Sequence, residues 1–464
     1  MNTLLIKNGT VVTVGATQVA DVFIAGETVQ AVGRDLSYTA DRTIDATGCY
    51  VVPGGIDPHV HMQIPFMGTH SSDNFETGTL AALHGGTTTI IDFAIQTQGD
   101  TLTNTWNQWY EWANGHAVGD YSFHLAVTDF NDKTCAELPD LIEKRGVTSF
   151  KTFMAYKGAL MIDDRQMVAL MHELKRLGGL LTVHAEHGDM IDSLIAQHRA
   201  AGHTAPRYHA ASHPELAETE ASGRILDLGL ACDQAVYIVH MTCEGALNRL
   251  RNALYRNQVG LAETCIQYLL LDDSLYEREG FDGAKWVMSP PLRQPKDQAA
   301  LWAGINQGLI RVVATDHCPF TLAQKRMGES DFSKIPNGHP AVEHRMELLF
   351  SEGVQQNRIS LSKFVEVTST NAAKIFGLYP RKGTIAVGSD ADITIIDPTQ
   401  QHTLSAATHH MNVDYSAYEG WKVNGKCRTT ILRGQVAVED GQAHVGKGHG
   451  QYLKRARFTS PNQL

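Results

Sequence analysis

One regularity constrains this chain more than any other. Short apolar runs alternate with helical stretches through its long middle, and the runs end on ionisable side chains. The runs are Tyr50–Val52, Thr88–Ile91, Tyr121–Val127, Ser149–Phe153, Leu180–Val183, Ala235–Val239, Gly260–Ala262 and Ile310–Ala314. Between them the spacing is helical, as in Arg165–Leu177, where Met167, Leu170, Met171 and Leu174 share one face. Asp163 or Asp164 is placed to cap that helix, and Gly178-Gly179 to end it. Eight strand–helix units are the arithmetic of an α/β protein built as a (β/α)8 barrel. An open doubly wound sheet is the alternative, but no G-x-G-x-x-G follows an early strand.

The two ends read differently. Leu4–Ile6, Thr10–Val14, Ala20–Ala25 and Thr28–Val32 are strand-like and separated by Asn-Gly and Ala-Gly-Glu turn signals. The same texture returns in Ala391–Ile396, Thr429–Leu432 and Gln435–Val438. The expectation is one small β-sandwich assembled from both ends, residues 1–53 and 376–440, around a barrel at 54–375. Residues 441–464 are expected to form a tail that could contact a neighbouring subunit.

Composition closes off several classes. The formal net charge is −11, and the strongest basic cluster is Lys454, Arg455 and Arg457 near the end. It reads as a solvated tail or a subunit contact, so a nucleic-acid partner is not expected. No stretch approaches the ~18 uninterrupted apolar residues of a membrane span. The opening apolar run, Leu4–Ile6, is too short for a signal segment. The seven cysteines stand singly with no C-x-x-C, which argues against a disulfide framework and for a reducing, cytoplasmic setting.

The polar strand ends carry the chemistry. They are His59 and His61, Asp92, His124, Lys151, His184, His240, Glu263 and Asp316. In a barrel all of these converge on one mouth. His59 and His61 stand two apart in an extended segment, so both rings point the same way. Alone, such a pair is weak evidence in a chain with 22 histidines. His184 and His240 each end an apolar run, and a single histidine there is more often a core residue than a ligand. Asp316 follows four apolar or small residues, where an unpaired carboxylate is costly, so a cation or a set of hydrogen-bond donors is needed. Lys151 sits mid-strand among apolar neighbours, and desolvation there favours the neutral amine. A neutral lysine beside metal ions can take up carbon dioxide and become a carbamate, an anion able to bridge two cations. Four histidines, one aspartate and that carbamate would hold two metals about 3.5–4 Å apart with a hydroxide between them. Nitrogen and oxygen donors without thiolate suit zinc best, with manganese, cobalt and iron as alternatives.

These residues lie in segments that resemble the dihydropyrimidinase/hydantoinase group of the amidohydrolase superfamily. The resemblance runs nearly end to end. It is carried by Gly54-Gly-Ile-Asp-Pro-His-Val-His-Met-Gln-Ile-Pro-Phe-Met-Gly68, Gly85-Gly-Thr-Thr-Thr-Ile-Ile-Asp-Phe93 and Ser149-Phe-Lys-Thr-Phe-Met-Ala-Tyr-Lys157. His184-Ala-Glu, Ser289-Pro-Pro-Leu-Arg293, Ala314-Thr-Asp-His-Cys-Pro-Phe320, Asp331-Phe-Ser-Lys-Ile-Pro-Asn-Gly338 and Gly383-Thr-Ile-Ala-Val-Gly-Ser-Asp-Ala-Asp392 extend it. It implies a metal-binding barrel with a flanking β-sandwich, a carbamylated Lys151 and a homotetramer. His59, His61, Lys151 and Asp316 would serve one ion, and Lys151, His184 and His240 the other. Tyr156 would support the oxyanion, while Ser289 and Asn337 would hold the amide of the substrate ring. His187 and Ile266 depart from the group's usual asparagine and proline, and neither is an expected ligand.

The implied reaction is hydrolytic ring opening of a small cyclic amide to an N-carbamoyl amino acid. The substrate would be a 5,6-dihydropyrimidine such as dihydrouracil or dihydrothymine, or a 5-substituted hydantoin. A metal-bridged hydroxide would attack the ring carbonyl, with Asp316 passing the proton to the departing nitrogen. Ile64, Phe66 and Phe153, with Met62 and Met67, are expected to line the mouth and meet the ring substituent. Gln63 stands where dihydroorotase-like enzymes place an arginine, which disfavours an acidic substrate. Met62 to Gly68 favours a dihydropyrimidinase over an aryl-preferring D-hydantoinase. A non-catalytic scaffold protein of the same fold is the reading from another class, and retention of all six ligand candidates and Tyr156 weighs against it. Lys151 likewise disfavours a mononuclear deaminase, since one ion needs no bridge.

Overall fold

Eight parallel strands form the centre of the molecule, with residues 3–459 described in a computed structural model. We number them β1 (Gly55–Val60), β2 (Thr87–Ile95), β3 (Asp120–Ala126), β4 (Ser149–Phe153), β5 (Leu180–His184), β6 (Val236–Ile238), β7 (Gly260–Cys265) and β8 (Ile310–Ala314). Each pairs in parallel with its chain neighbour, and a bridge between Val60 and His317 brings the two ends of the order together. This is the barrel that the sequence predicts, and the closure removes the open-sheet alternative. Nearly every residue of these strands is buried, as expected of a parallel sheet covered by helices. The helix at Asp164–Leu177 forms as its pattern predicts. Asp163 and Gln166 make a capping box at its start, and Gly178 ends it in the left-handed conformation.

Both chain ends join one separate nine-stranded sheet. Tyr50–Pro53 lies between Thr3–Val12 on one side and Ile393–Thr403 on the other. Leu4, Ile6, Val22, Ile24, Ile393, Ile395 and Ile431 form its apolar core.

Two sequence expectations are corrected here. Tyr50–Val52 belongs to this outer sheet, and the first barrel strand is the Gly55–Val60 segment that follows it. Asn8-Gly9 is not a turn between two strands but a bulge within Thr3–Val12, where the register against Thr17–Ala25 shifts. Asn8 takes φ 64° and its amide donates to Asp21 at 2.9 Å, while a Cβ on Gly9 would lie 2.4 Å from Val51.

The basic cluster near the end is not uniformly solvated. Residues 451–458 run across the floor of the barrel, where Gln451 accepts from Tyr121 N and Leu453 N donates to Tyr121 O. Arg455 is buried beneath the strands and donates to Ser122 Oγ at 3.0 Å, Ser149 Oγ at 2.7 Å and the Phe123 carbonyl. Lys454 and Arg457 remain exposed, and the last five residues of the expected tail lie outside the described residues. No helix among the described residues is long and apolar enough to cross a membrane, and their seven cysteines are all free.

Candidate active site

The barrel mouth gathers six side chains from five of the strands. His59 lies in β1 and His61 just beyond it; Lys151 is central in β4, and His184 closes β5. His240 follows β6 by two residues, and Asp316 follows β8 by two. The Nε2 atoms of His59 and His61 both lie 3.1 Å from Asp316 Oδ1. His184 Nδ1 and His240 Nε2 face one another at 2.8 Å. One ligand atom each from His59, His240 and Asp316 falls within 4.8 Å of the other two. The Lys151 amine points over the Phe93 ring at 4.5 Å, the same ring that packs against His59 and His61. Every one of the six expected ligands therefore reaches one cavity.

Backbone strain helps aim them. Tyr156, His240 and Asp316 take φ values of 63°, 40° and 52°, a region that costs residues other than glycine energy unless the surroundings impose it. His317 supplies part of that imposition beside Asp316. Its Nε2 donates to Asp73 at 3.0 Å, its Nδ1 accepts from the Ala341 and Val342 amides, and its carbonyl accepts from His61 N at 2.8 Å.

The electrostatics ask for a cation. Burial opposes a charge on His59, yet Asp316 and Glu263 outweigh it and push its pKa up to about 9. Burial also lifts the Asp316 carboxyl, but His59 and His61 overcome it and hold the group well below its usual range. His61, by contrast, is pulled down to about 4 by burial, leaving neutral imidazole as a donor. Burial lowers Lys151 to about 8, against the pull of Asp316 and Glu263, so a useful fraction of free amine exists near neutrality. Three imidazoles that burial keeps neutral, a fourth whose charge the carboxylates sustain in place of a cation, a carboxylate and a nucleophilic amine, with no thiol among them, match a hard or borderline divalent ion.

Two carboxylates support this group from behind. Glu263, in β7, accepts from His59 Nδ1, from the Tyr237 hydroxyl at 2.8 Å and from His240 N at 3.3 Å. Glu186 takes His184 Nε2 at 2.9 Å and His213 Nδ1 at 3.0 Å. The other ring nitrogen of His59 and of His184 is thereby left facing the cavity. Sequence reading noted Glu263 only as a polar strand end and missed the role of Glu186 within His184-Ala-Glu.

The rest of the cavity is lined mostly by apolar side chains with a few polar groups among them. Tyr156, Ser289 and Asn337 meet on one wall, where Asn337 Nδ2 donates to Ser289 Oγ at 3.0 Å and both side chains hydrogen-bond Tyr156. Burial pushes the Tyr156 hydroxyl upward, so it stays a proton donor. Ile64, Phe66 and Phe153 line the cavity as expected, joined by Ile95, Leu160, Met288 and Cys318, which sequence reading did not single out. Phe66 and Phe153 both pack edge-on against Tyr156, at 5.8 and 6.0 Å between ring centres.

Some expectations fail. Met62 turns away from the mouth into the core, where it would collide with a Cβ on Gly78. Met67 lines an outer hollow rather than the central cavity. Asp92 is buried under the loop, accepting from Met62 N at 2.8 Å. His124 does not reach the mouth: its Nε2 donates to the Pro58 carbonyl at 2.9 Å, and its ring stacks on Phe93 from below.

Comparison with known proteins agrees with this geometry. Residues 50–437 match the pattern of the amidohydrolase family. A D-hydantoinase of Geobacillus stearothermophilus is 47% identical over 98% of this chain and 97% of its own. A dihydropyrimidinase of Rattus norvegicus is 43% identical over 98% of this chain and 89% of its own. The crystal structure of dihydropyrimidinase from Brevibacillus agri superposes with a TM-score of 0.98, at 49% identity and covering 99% of this chain and all of that one.

Proposed function

The chain belongs to the amidohydrolase family, in its hydantoinase and dihydropyrimidinase group, and from that premise we propose that it opens cyclic amides by hydrolysis. The substrates are 5,6-dihydropyrimidines such as dihydrouracil and dihydrothymine, or 5-substituted hydantoins, and the products are N-carbamoyl amino acids. One observation carries the reading: imidazoles, a carboxylate and a lysine from separate strands share one cavity, with His59, His240 and Asp316 donor atoms within 4.8 Å.

His59, His61 and Asp316 would hold one divalent ion and His184 with His240 a second. Lys151, as a carbamate, would serve both. The buried amine of Lys151 is suited to that step: its nitrogen lone pair bonds the carbon of carbon dioxide, and one proton leaves. Bound there, divalent ions (zinc best suits the donor set) supply Lewis-acid activation of water and of the substrate carbonyl.

The protein's own groups do the rest. Asp316 takes the proton of the attacking water and returns it to the ring nitrogen as the C–N bond breaks. The Tyr156 hydroxyl donates to the oxygen that gains charge. Ser289 and Asn337 hold the ring amide, and Ile64, Phe66 and Phe153 cover the ring face and exclude water. Gln63, a neutral side chain where dihydroorotase-like enzymes place an arginine, supports a substrate without a carboxylate over a dihydroorotase-type one. We further place the enzyme in the cytoplasm, which suits its seven free cysteines, and assign it a homotetrameric state in line with the family.

Metal analysis and turnover of the purified protein test the proposal together. About two divalent ions per chain with ring opening of dihydrouracil support it. Turnover of 5-phenylhydantoin alone would make it an aryl-preferring hydantoinase. Inactivity on both would overturn the substrate assignment, and failure to bind metal would favour the non-catalytic scaffold.

A further inference from the structure

Lys325 ends the short helix Leu322–Lys325 and is wholly buried behind the cleft wall. Its ammonium donates to three main-chain carbonyls: Val287 at 2.8 Å, Pro336 at 2.7 Å and Gly338 at 2.9 Å. Among the described residues no carboxylate pairs with it; the Phe320 ring lies 5.8 Å away and the Cys318 thiol is close by. A buried cation held by carbonyl dipoles alone is an unusual arrangement, since buried charges are ordinarily paired.

What it joins explains its cost. Val287 precedes Ser289 by two residues, and Pro336 and Gly338 flank Asn337. Gly338 N also donates to the Val287 carbonyl at 3.0 Å, so the two segments meet at the lysine. Gly338 is packed so closely that a Cβ there would lie 2.0 Å from the Cys318 carbonyl oxygen. We propose that Lys325 is a positioning residue that sets the spacing of Ser289 and Asn337, and with it the fit of the substrate's ring amide. The inference rests on reading that wall as the amide-binding side of a cyclic-amide hydrolase.

The clamp needs its proton. An ammonium offers three N–H groups to three acceptors, whereas a neutral amine offers two and turns a lone pair on the third carbonyl. Burial draws Lys325 down to about 7. The titratable groups facing it are Cys318, whose thiol burial pushes up, and His339 and His209, both pulled down to about 3 by burial. All three are uncharged near neutrality. Charges on the neighbouring segments pair among themselves, Lys285 with Asp282, Arg326 with Glu329 and Lys334 with Asp331. Loss of the Lys325 proton therefore loosens the amide pocket as pH rises through neutrality, and the effect falls on KM.

Steady-state kinetics of the metal-loaded enzyme on dihydrouracil test this. K325M is expected to raise KM about tenfold with kcat changed less than about threefold and metal content unaltered. Wild-type KM is expected to climb above about pH 7, and that climb to vanish in K325M. A K325M enzyme with wild-type KM, or one that loses kcat at constant KM, overturns the inference. Should K325M not fold, the wild-type profile decides, and a KM flat from about pH 6 to about pH 9 overturns it. A wild-type protein that opens neither dihydrouracil nor 5-phenylhydantoin instead sinks the functional reading, and the inference with it.

Discussion

Glu263 grips the Nδ1 edge of the His59 ring, which leaves Nε2 of that ring facing Asp316 at 3.1 Å. The carboxylate is itself fixed by the Tyr237 hydroxyl and the His240 amide. Replacing Glu263 with Gln removes the charge that selects the tautomer and steadies the imidazole. E263Q is expected to bind metal about 10–100-fold more weakly than wild type in a chelator competition, with the fold kept by circular dichroism. Undiminished metal affinity would show that the carboxylate merely fills space.

Asp316 stands within reach of both His59 and His61, and its low pKa keeps it an anion throughout the working range. D316N keeps the shape and an oxygen donor but cannot accept a proton. With metal content verified as equal, kcat is expected to fall by about 10²–10⁴-fold. Turnover at the wild-type rate would assign the proton transfer to another group.

Acid should destabilise the protein earlier than its carboxylates alone would dictate. His209, His339 and His344 are each pulled down to about 3 by burial. In the unfolded chain they titrate near the ordinary value of about 6.5. Between those limits the unfolded state binds more protons, so the stability they contribute is complete above about pH 6.5 and lost as pH falls. Each costs about 1.4 kcal/mol per pH unit within the window. The midpoint of denaturant unfolding is expected to drop steadily from pH 6.5 to 5; a midpoint constant over that range would contradict the burial of neutral histidine.

Arg455 closes the barrel floor through Ser122, Ser149 and the Phe123 carbonyl. R455M retains most of the stem but strands these acceptors without a partner. Its expected cost is about 2–4 kcal/mol in chemical unfolding. Because Ser149 also contacts His124, which holds the Pro58 carbonyl next to His59, metal retention should weaken as well. An R455M protein as stable as wild type would mean that water replaces the guanidinium.

The strand-end rule made much of the site readable, and the reason is geometric. His184, His240 and Asp316 each follow an apolar lead-in, His59 lies near the end of the first strand and Lys151 within the fourth, and a parallel barrel delivers these positions to the same rim. His124 obeys the same rule in sequence yet lies a layer deeper, because depth depends on register against β2, where it pairs with Phe93. The positive φ of Tyr156, His240 and Asp316 left no trace either: aspartate and histidine visit that region more readily than most residues, but a single occurrence in sequence does not mark it. Lys325 and Arg455 were invisible for a related reason. Their partners are carbonyls and hydroxyls distant in the chain, and no local pattern announces a main-chain acceptor. The outer sheet was legible in texture, but the run Tyr50–Val52 was assigned to the barrel, because Tyr50–Pro53 and Gly55–Val60 are both short, largely buried and separated only by Gly54.

The pairing of Val51 with Ile395 has a consequence for how the molecule is made. The early strands leave the ribosome with one hydrogen-bonding edge bare, and the segment that covers it is translated roughly 340 residues later, on the order of tens of seconds afterwards. Throughout that interval a sticky ribbon of main chain and valine- and leucine-rich surface must be kept from other nascent chains. Expression of this protein should therefore respond to chaperone supply more sharply than its finished stability would suggest.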